Sequence, residues 1–357
     1  MLIDFMEEYL KDKPDLKKAI ENNEPNFIPE DKNNPMEVVI KPEILDLSNV
    51  EESKNEGLFR PTTFNEYIGQ QKAKERVQCY IDGCKKFNDP FPHLFISAPA
   101  GCGKTVFANI TANLLGKKFV CATAGEIKSE QQLVDKIVEC NSGILFLDEA
   151  HRINNKIGTF FLPILEEWKI SGKSIKPFVT IFATTHKGNI SENLSALIQR
   201  FLPIDLENYK TEELVQIIKQ FISKQYSSEK INSDILYQIA ENCKFTPRIG
   251  LSLLREYIYT RDWKKVKDSN SIIKEGLTYR DIQVLKYIKD VDGAGKNTLA
   301  KFLRVEPKTY EFEIEPYLMF KELITVSNKR KLTAKGETFL KGVLNEFWRK
   351  IKKIKKF

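Results

Sequence analysis

Histidine is scarce in this chain of 357 residues, with three in all at positions 93, 151 and 186, and none of the six cysteines is spaced as C-x-x-C. That scarcity and that spacing together argue against a zinc site. Reduced, buried thiols in a cytosolic protein are the simpler account. Long apolar runs are missing too. No stretch approaches the roughly 20 residues that span a bilayer. The opening Met1-Leu-Ile-Asp-Phe-Met-Glu-Glu lacks the basic-then-apolar layout of a secretion signal. A cytoplasmic protein with no membrane partner is expected. Strong charge of one sign is also absent once the tail is set aside. The formal net charge is +7, but Arg349, Lys350, Lys352, Lys353, Lys355 and Lys356 supply six of it, leaving +1 for the rest. Overall basicity therefore says little about nucleic acid, and location has to carry that argument.

What is present is a chain long enough for two or three domains, with 41% apolar and 29% charged residues, ordinary for a soluble globular protein. Its most informative stretch is Ala98-Pro-Ala-Gly-Cys-Gly-Lys104-Thr105, entered from the apolar run Leu94-Phe-Ile-Ser and followed by a helical pattern from Val106 to Leu115. Strand, glycine loop and helix in that order form the context of a phosphate-binding loop. Gly101 and Gly103 let backbone N–H groups turn inward, and the helix aims its positive dipole end at the same place. Pro99, Gly101, Cys102, Gly103, Lys104, Thr105 and Val106 are thus candidate nucleotide contacts. Lys104 is expected on the β- and γ-phosphates of ATP and Thr105 on Mg²⁺. Ala98 replaces the usual first glycine, a change that a small side chain absorbs.

A second motif lies 44 residues beyond Lys104. Gly143-Ile-Leu-Phe-Leu-Asp148-Glu149 is too short and apolar for a typical helix and ends in two carboxylates. A buried strand of this kind delivers Asp148 to the Mg²⁺ shell and Glu149 to the attacking water. Nucleotide hydrolysis is the expected chemistry.

Along the chain, residues 1–56 are polar and mixed in charge, and they are expected to form a partly disordered extension. From 57 to 207, strand patterns at 94–98, 119–122, 144–148, 179–184 and 203–206 alternate with helical ones. That alternation predicts a parallel sheet covered on both faces. Residues 208–275 read as a small helical domain, with Leu214, Ile217, Ile218, Phe221 and Ile222 on one stripe and Thr246-Pro247 opening a later helix. Residues 276–342 read as a winged helix, with helices at 281–288, 297–303 and 307–323 and two strands around Ser327-Asn-Lys-Arg. The third helix is rich in glutamate, so contact with DNA is expected through Lys329, Arg330 and Lys331 at the wing. A wing that serves as a protein contact is the competing reading. Residues 343–357 form a basic tail, either an amphipathic helix on Phe347, Ile351 and Ile354 or a frayed end.

The order of motifs is similar to that of AAA+ ATPases, and within them it resembles the RuvB family of branch-migration motors. Arg60-Pro-Thr-Thr-Phe-Asn-Glu-Tyr67-Ile68-Gly69-Gln70, Asp148-Glu-Ala-His-Arg152, Ala183-Thr-Thr185, Arg200-Phe201, Tyr209 and Thr246-Pro247-Arg248 carry the resemblance, over roughly residues 58–340. It implies that Phe59, Arg60, Tyr67 and Ile68 wrap the adenine, with Tyr209 and Pro247 also in the nucleotide site. Thr185 would be the first sensor and Arg248 the second, reaching from the helical lid. Arg200 would be an arginine finger completing a neighbour's site in a hexameric ring, on duplex or branched DNA read without regard to sequence. The family also carries a long apolar hairpin that docks its junction-binding partner RuvA. Here the corresponding Trp168–Phe178 is short and holds Gly172 and several lysines, which argues against a RuvA-like partner. A AAA+ loader of a clamp or replicative helicase is the alternative function, and a nucleotide-binding scaffold is weaker because Glu149 and Arg200 are both present.

Overall fold

The computed structural model describes residues 59–170, 172–185, 195 and 197–354, the last eight of these by backbone alone. The extension expected at 1–56 lies outside the described residues, as do Lys355 and Lys356 of the tail. Two units divide the chain: Gly57–Thr333, and the terminal segments Met1–Glu56 with Ala334–Phe357.

The first unit is built on five parallel strands, β1 (Leu94–Ser97), β2 (Phe119–Thr123), β3 (Ile144–Asp148), β6 (Val179–Thr184) and β7 (Leu202–Asp205), in the order β2-β3-β6-β1-β7. Two stubby strands, β4 (Lys169–Ile170) and β5 (Lys173–Ser174), pair antiparallel between β3 and β6 in the chain. Parallel strands need helical crossovers, so both faces are covered and each strand reads as a nearly unbroken apolar run. Leu94, Ile96, Ile144, Phe146, Ile181 and Ala183 enter one core, with Val77 and Ile81 of α1 (Gln71–Phe87) and Phe107 and Ile110 of α2 (Lys104–Leu115). Phe95, Leu145, Leu147 and Phe182 enter the other, with Leu133 and Ile137 of α3 (Glu130–Cys140) and Phe161 and Ile164 of α4 (Asn155–Glu167). Burying one such side chain contributes about 1.5–3 kcal/mol. Pro203 sits in β7, an edge of the sheet, where a missing N–H is tolerated.

Helices α5 (Thr211–Gln225), α6 (Ser233–Asn242), α7 (Pro247–Thr260) and α8 (Trp263–Ser269) follow. Then come the hairpin β8 (Ile272–Lys274) and β9 (Leu277–Thr278) and the helices α9 (Tyr279–Asp290) and α10 (Lys296–Leu303). The single helix expected at 307–323 is instead broken. A short α11 (Pro307–Thr309) passes into a π-helical turn over Tyr310–Ile314 and then into α12 (Glu315–Phe320). Pro316 explains this, because it has no N–H to offer the carbonyl four residues back, and the chain widens to a π turn instead. Strands β10 (Ile324–Val326) and β11 (Arg330–Leu332) form the wing.

The boundary expected at 207/208 falls in the segment between β7 and α5, and the one at 275/276 falls in the turn between β8 and β9. The boundary expected at 342/343 does not fall between elements. Helix α13 runs unbroken from Ala334 to Ile354, the described part of the second unit, so the first part of the basic tail is helical backbone. No helix among the described residues is long and apolar enough to cross a membrane.

His93 ties the start of β1 to its neighbours. Its Nδ1 accepts the Thr180 N–H at 3.0 Å, and its ring packs 5.1 Å from Phe201 and 5.9 Å from Trp168. Burial holds its pKa down at about 4. An imidazolium could not accept that N–H, so the fold requires the neutral ring. The unfolded chain takes up a proton near pH 6.5 and the fold resists it until about 4. Stability therefore falls as pH drops through 6.5 and levels off below 4. Between pH 7 and 5 the loss from this group is expected to be about 1–2 kcal/mol. Urea unfolding of wild type and His93→Gln at both pH values checks this: the variant should lose that part of the pH dependence, and an unchanged slope contradicts it.

Candidate active site

The carboxyl ends of the strands lie on one edge, with Ser97 level with Thr184 and Asp205, and Thr123 level with Asp148. Ligands of open parallel sheets gather at this edge. Between β1 and α2 the chain turns through Gly101 at φ 77° and Gly103 at φ 87°, conformations that cost a side chain but not glycine. Gly103 caps α2 without any side-chain acceptor, and the first turn carries no acid. The helix thus presents uncapped N–H groups and its positive end to whatever binds there.

Two phenols hold the loop from beneath. Tyr67 Oη donates to the Cys102 carbonyl at 3.1 Å and Tyr209 Oη to the same oxygen at 3.4 Å. Burial is the main cause that raises both pKa values, Tyr67 well above its ordinary value and Tyr209 to about 12, so both stay protonated donors. Tyr67 is 4% exposed and meets Phe107 edge-on at 5.8 Å, so its side chain supports the loop. The Phe59 N–H bonds Gln225 Oε1 on α5 at 3.0 Å, while Arg60 is exposed and Ile68 half-buried.

Lys104 is 7% exposed. Burial lowers its pKa, the negative charges of Asp148 and Glu149 oppose that shift, and the nearby Arg248 cation adds to it. The sheet thereby brings the glycine loop, the acidic strand end and the lid arginine to one point. Thr105 and Val106 stand half-buried in the first turn of α2. A Cβ placed on Gly101 would stand 3.3 Å from the Cβ of both Thr246 and Arg248, so the start of α7, with Pro247, lies directly against the loop.

Asp148 Oδ1 accepts the Glu149 N–H at 2.8 Å, and Glu149 takes a left-handed backbone, φ 53°, that turns the chain off the strand. Two residues that sequence reasoning passed over join it here. His151 Nε2 lies 3.3 Å from Glu149 Oε2, and His151 Nδ1 lies 3.1 Å from Oγ1 of the fully buried Thr184. The signal was present in Asp148-Glu-Ala-His, but the partner comes from a strand more than thirty residues away. Thr185 is the next residue along, half-buried beyond the end of β6. Arg200 is away from this cluster, exposed and ion-paired with Glu166.

At the wing, Lys329 and Lys331 are exposed. Arg330 is not available as expected. Its Nε donates to Glu315 Oε2 at 2.6 Å and its Nη2 to Oε1 at 3.1 Å, and its main chain is paired with Ala294 on both sides. A bidentate, mostly buried pair is strong and local, and the glutamate that supplies it was read as a surface acid.

Comparison with known proteins agrees with this geometry. Residues 59–202 match the model of the Holliday junction DNA helicase RuvB P-loop domain, and 274–341 match that of the RuvB C-terminal winged helix domain. The Holliday junction branch migration complex subunit RuvB of a Nitratiruptor species is 31% identical over 75% of this chain and 87% of its own length. That of Campylobacter curvus is 30% identical over 81% and 92%. The solved Thermotoga maritima RuvB Holliday junction branch migration motor superposes with TM-score 0.71 at 28% identity, covering 79% of this chain and 98% of its own. These likenesses favour the motor over the loader.

Gly103→Ala would put a Cβ 2.9 Å from Tyr67 Oη at a positive φ, whereas Gly116 at the other end of α2 faces open space. Gly103→Ala is expected to weaken ATP binding by roughly tenfold or more, and Gly116→Ala to cost about 1 kcal/mol of stability with binding intact. Calorimetric titration with ATP separates the two, and equal affinities would contradict the loop geometry.

Proposed function

The chain belongs to the RuvB family of P-loop ATPases, and on that premise we propose that it is a ring-forming motor that spends ATP to move branched DNA. The observation that carries this reading is the buried Lys104 ammonium facing Asp148, Glu149 and Arg248 at the mouth of an uncapped helix. Lys104 and the N–H groups of α2 take the β- and γ-phosphates. The Thr105 hydroxyl and the Asp148 carboxylate are hard oxygen donors, a set that suits Mg²⁺. Mg²⁺ held there neutralises charge on the phosphate oxygens. Glu149 polarises the attacking water, Thr185 touches the γ-phosphate, and Arg248 reports its loss to the lid. Phe59, Arg60 and Ile68 line the base.

Arg200 serves the site of a neighbouring copy. Its exposed pair with Glu166 is a surface contact worth little, easily exchanged for a phosphate. Six copies closing a ring would give every Arg200 such a site. Junction DNA would be gripped through Lys329 and Lys331 by phosphate contacts, without Arg330. The stubby hairpin Lys169–Ser174 exposes lysines where an apolar docking arm would be needed, which supports assembly without a RuvA-type contact there.

Lys104→Ala and Arg200→Ala are each expected to lower ATP turnover by roughly 10²-fold or more when studied alone. Mixed in equal amounts, they should recover part of the activity, because some sites then combine an intact Lys104 with a neighbour's intact Arg200. Steady-state ATPase assays on branched DNA across mixing ratios test this. No recovery at any ratio, or a fully active monomer by light scattering, would remove the shared site.

A further inference from the structure

Beside Glu149, His151 and Thr184 form a chain of polar contacts. The turn Ala150–Arg152 begins with a bond from the Arg152 N–H to the Glu149 carbonyl at 2.8 Å, and it folds His151 back over the strand ends. There the ring spans two groups of opposite demand. A carboxylate only accepts hydrogen bonds, so the Nε2 beside Glu149 must carry the ring proton. Nδ1 is then a lone pair, and the Thr184 hydroxyl must donate to it. With that tautomer Thr184 Oγ1–H donates to His151 Nδ1 at 3.1 Å, and the protonated Nε2 stands 3.3 Å from Glu149 Oε2 as a close polar contact. Thr184 is itself anchored, since it is fully buried and its carbonyl accepts the N–H of Ala98, the first residue of the phosphate loop, at 3.2 Å.

We infer that His151 is a positioning residue, which aims Glu149 by standing against one carboxylate oxygen and leaves the other for water, while Thr184 fixes its tautomer. The inference rests on the role proposed for Glu149. Burial lowers the His151 pKa, Arg152, Lys308 and Lys104 add to that shift, and Glu149 opposes it, so the ring is neutral as the donation order requires. A neutral donor orients the carboxylate without cancelling its charge. Thr184 also precedes Thr185, so a shift of the strand end when the γ-phosphate binds or leaves reaches Glu149 through the hydrogen bond to His151 and the ring's contact with the carboxylate.

The test is steady-state ATPase kinetics of the full-length protein with Mg²⁺ and branched DNA, together with ATP affinity by calorimetry. His151→Ala is expected to lower kcat by roughly ten- to a hundredfold, with KM and affinity within about threefold of wild type. His151→Gln keeps an amide donor near the Nε2 position and should recover kcat to within about fivefold. The double variant of His151→Ala with Glu149→Gln should turn over no more slowly than Glu149→Gln alone, since His151 acts through that residue. Multiplying effects, a wild-type kcat in His151→Ala, or loss of ATP binding with turnover would each overturn the inference. Failure of the underlying reading looks different: Glu149→Gln itself would then hydrolyse ATP at the wild-type rate.

Discussion

Burying a lysine ammonium is the constraint around which this molecule is arranged. Lys104, at 7% exposure, loses water that no apolar neighbour replaces, and the compensation comes from Asp148 and Glu149. Those carboxylates arrive because β3 ends level with its neighbours, and β3 stays level because both faces of the sheet are packed with Leu, Ile and Phe. The glycines that let the loop turn rest on Tyr67 and Tyr209, which hold the Cys102 carbonyl from the core side. A site built this way is complementary to a polyphosphate before one arrives, so little reorganisation is left for the moment of binding.

The same loop is tied to the lid and, through it, to the winged helix. Arg248 lies in the first turn of the helix that covers Gly101, and just ahead of that helix Lys244 and Phe245 adopt φ values of 49° and 61°. Two consecutive left-handed side-chain residues cost about 1 kcal/mol each, and the contacts they make offset it. Lys244 Nζ pairs with the buried Asp281 at 2.9 Å, Phe245 packs 4.4 Å from Phe320 and 5.3 Å from Tyr317, and Tyr317 Oη donates to the Glu275 carbonyl at 2.6 Å. These contacts join the lid to the winged helix, so a change in the lid that followed the nucleotide would reach the winged helix.

The architecture was largely legible in the residues. The five parallel strands lie within a residue or two of their expected limits because runs such as Ile144-Leu-Phe-Leu are too apolar and too short for anything but a strand buried on both faces. The phosphate loop and the acidic strand end were legible because each motif is contiguous. What escaped was set by partners distant in sequence. Arg330 looked like a free wing cation until Glu315 claimed it, the Tyr67 phenol gave no sign in sequence of its bond to the Cys102 carbonyl, and His151 gained its meaning from Thr184. The π turn at Tyr310–Ile314 was signalled by Pro316, which argues against a regular helix there, and helix α13 ran past the expected boundary because lysines sit as readily in a helix as in a tail.

In the proposed function the nucleotide lies between Lys104 and the strand ends, at the border of two copies. A structure of the assembled protein with Mg²⁺ and a slowly hydrolysed ATP analogue measures that directly. The terminal phosphates should sit at Lys104 and the N-terminus of α2, with Glu149 beside the water that attacks and Arg200 of the adjacent copy within hydrogen-bond reach. Nucleotide bound elsewhere, or a filled site with no neighbouring arginine near it, would contradict the account.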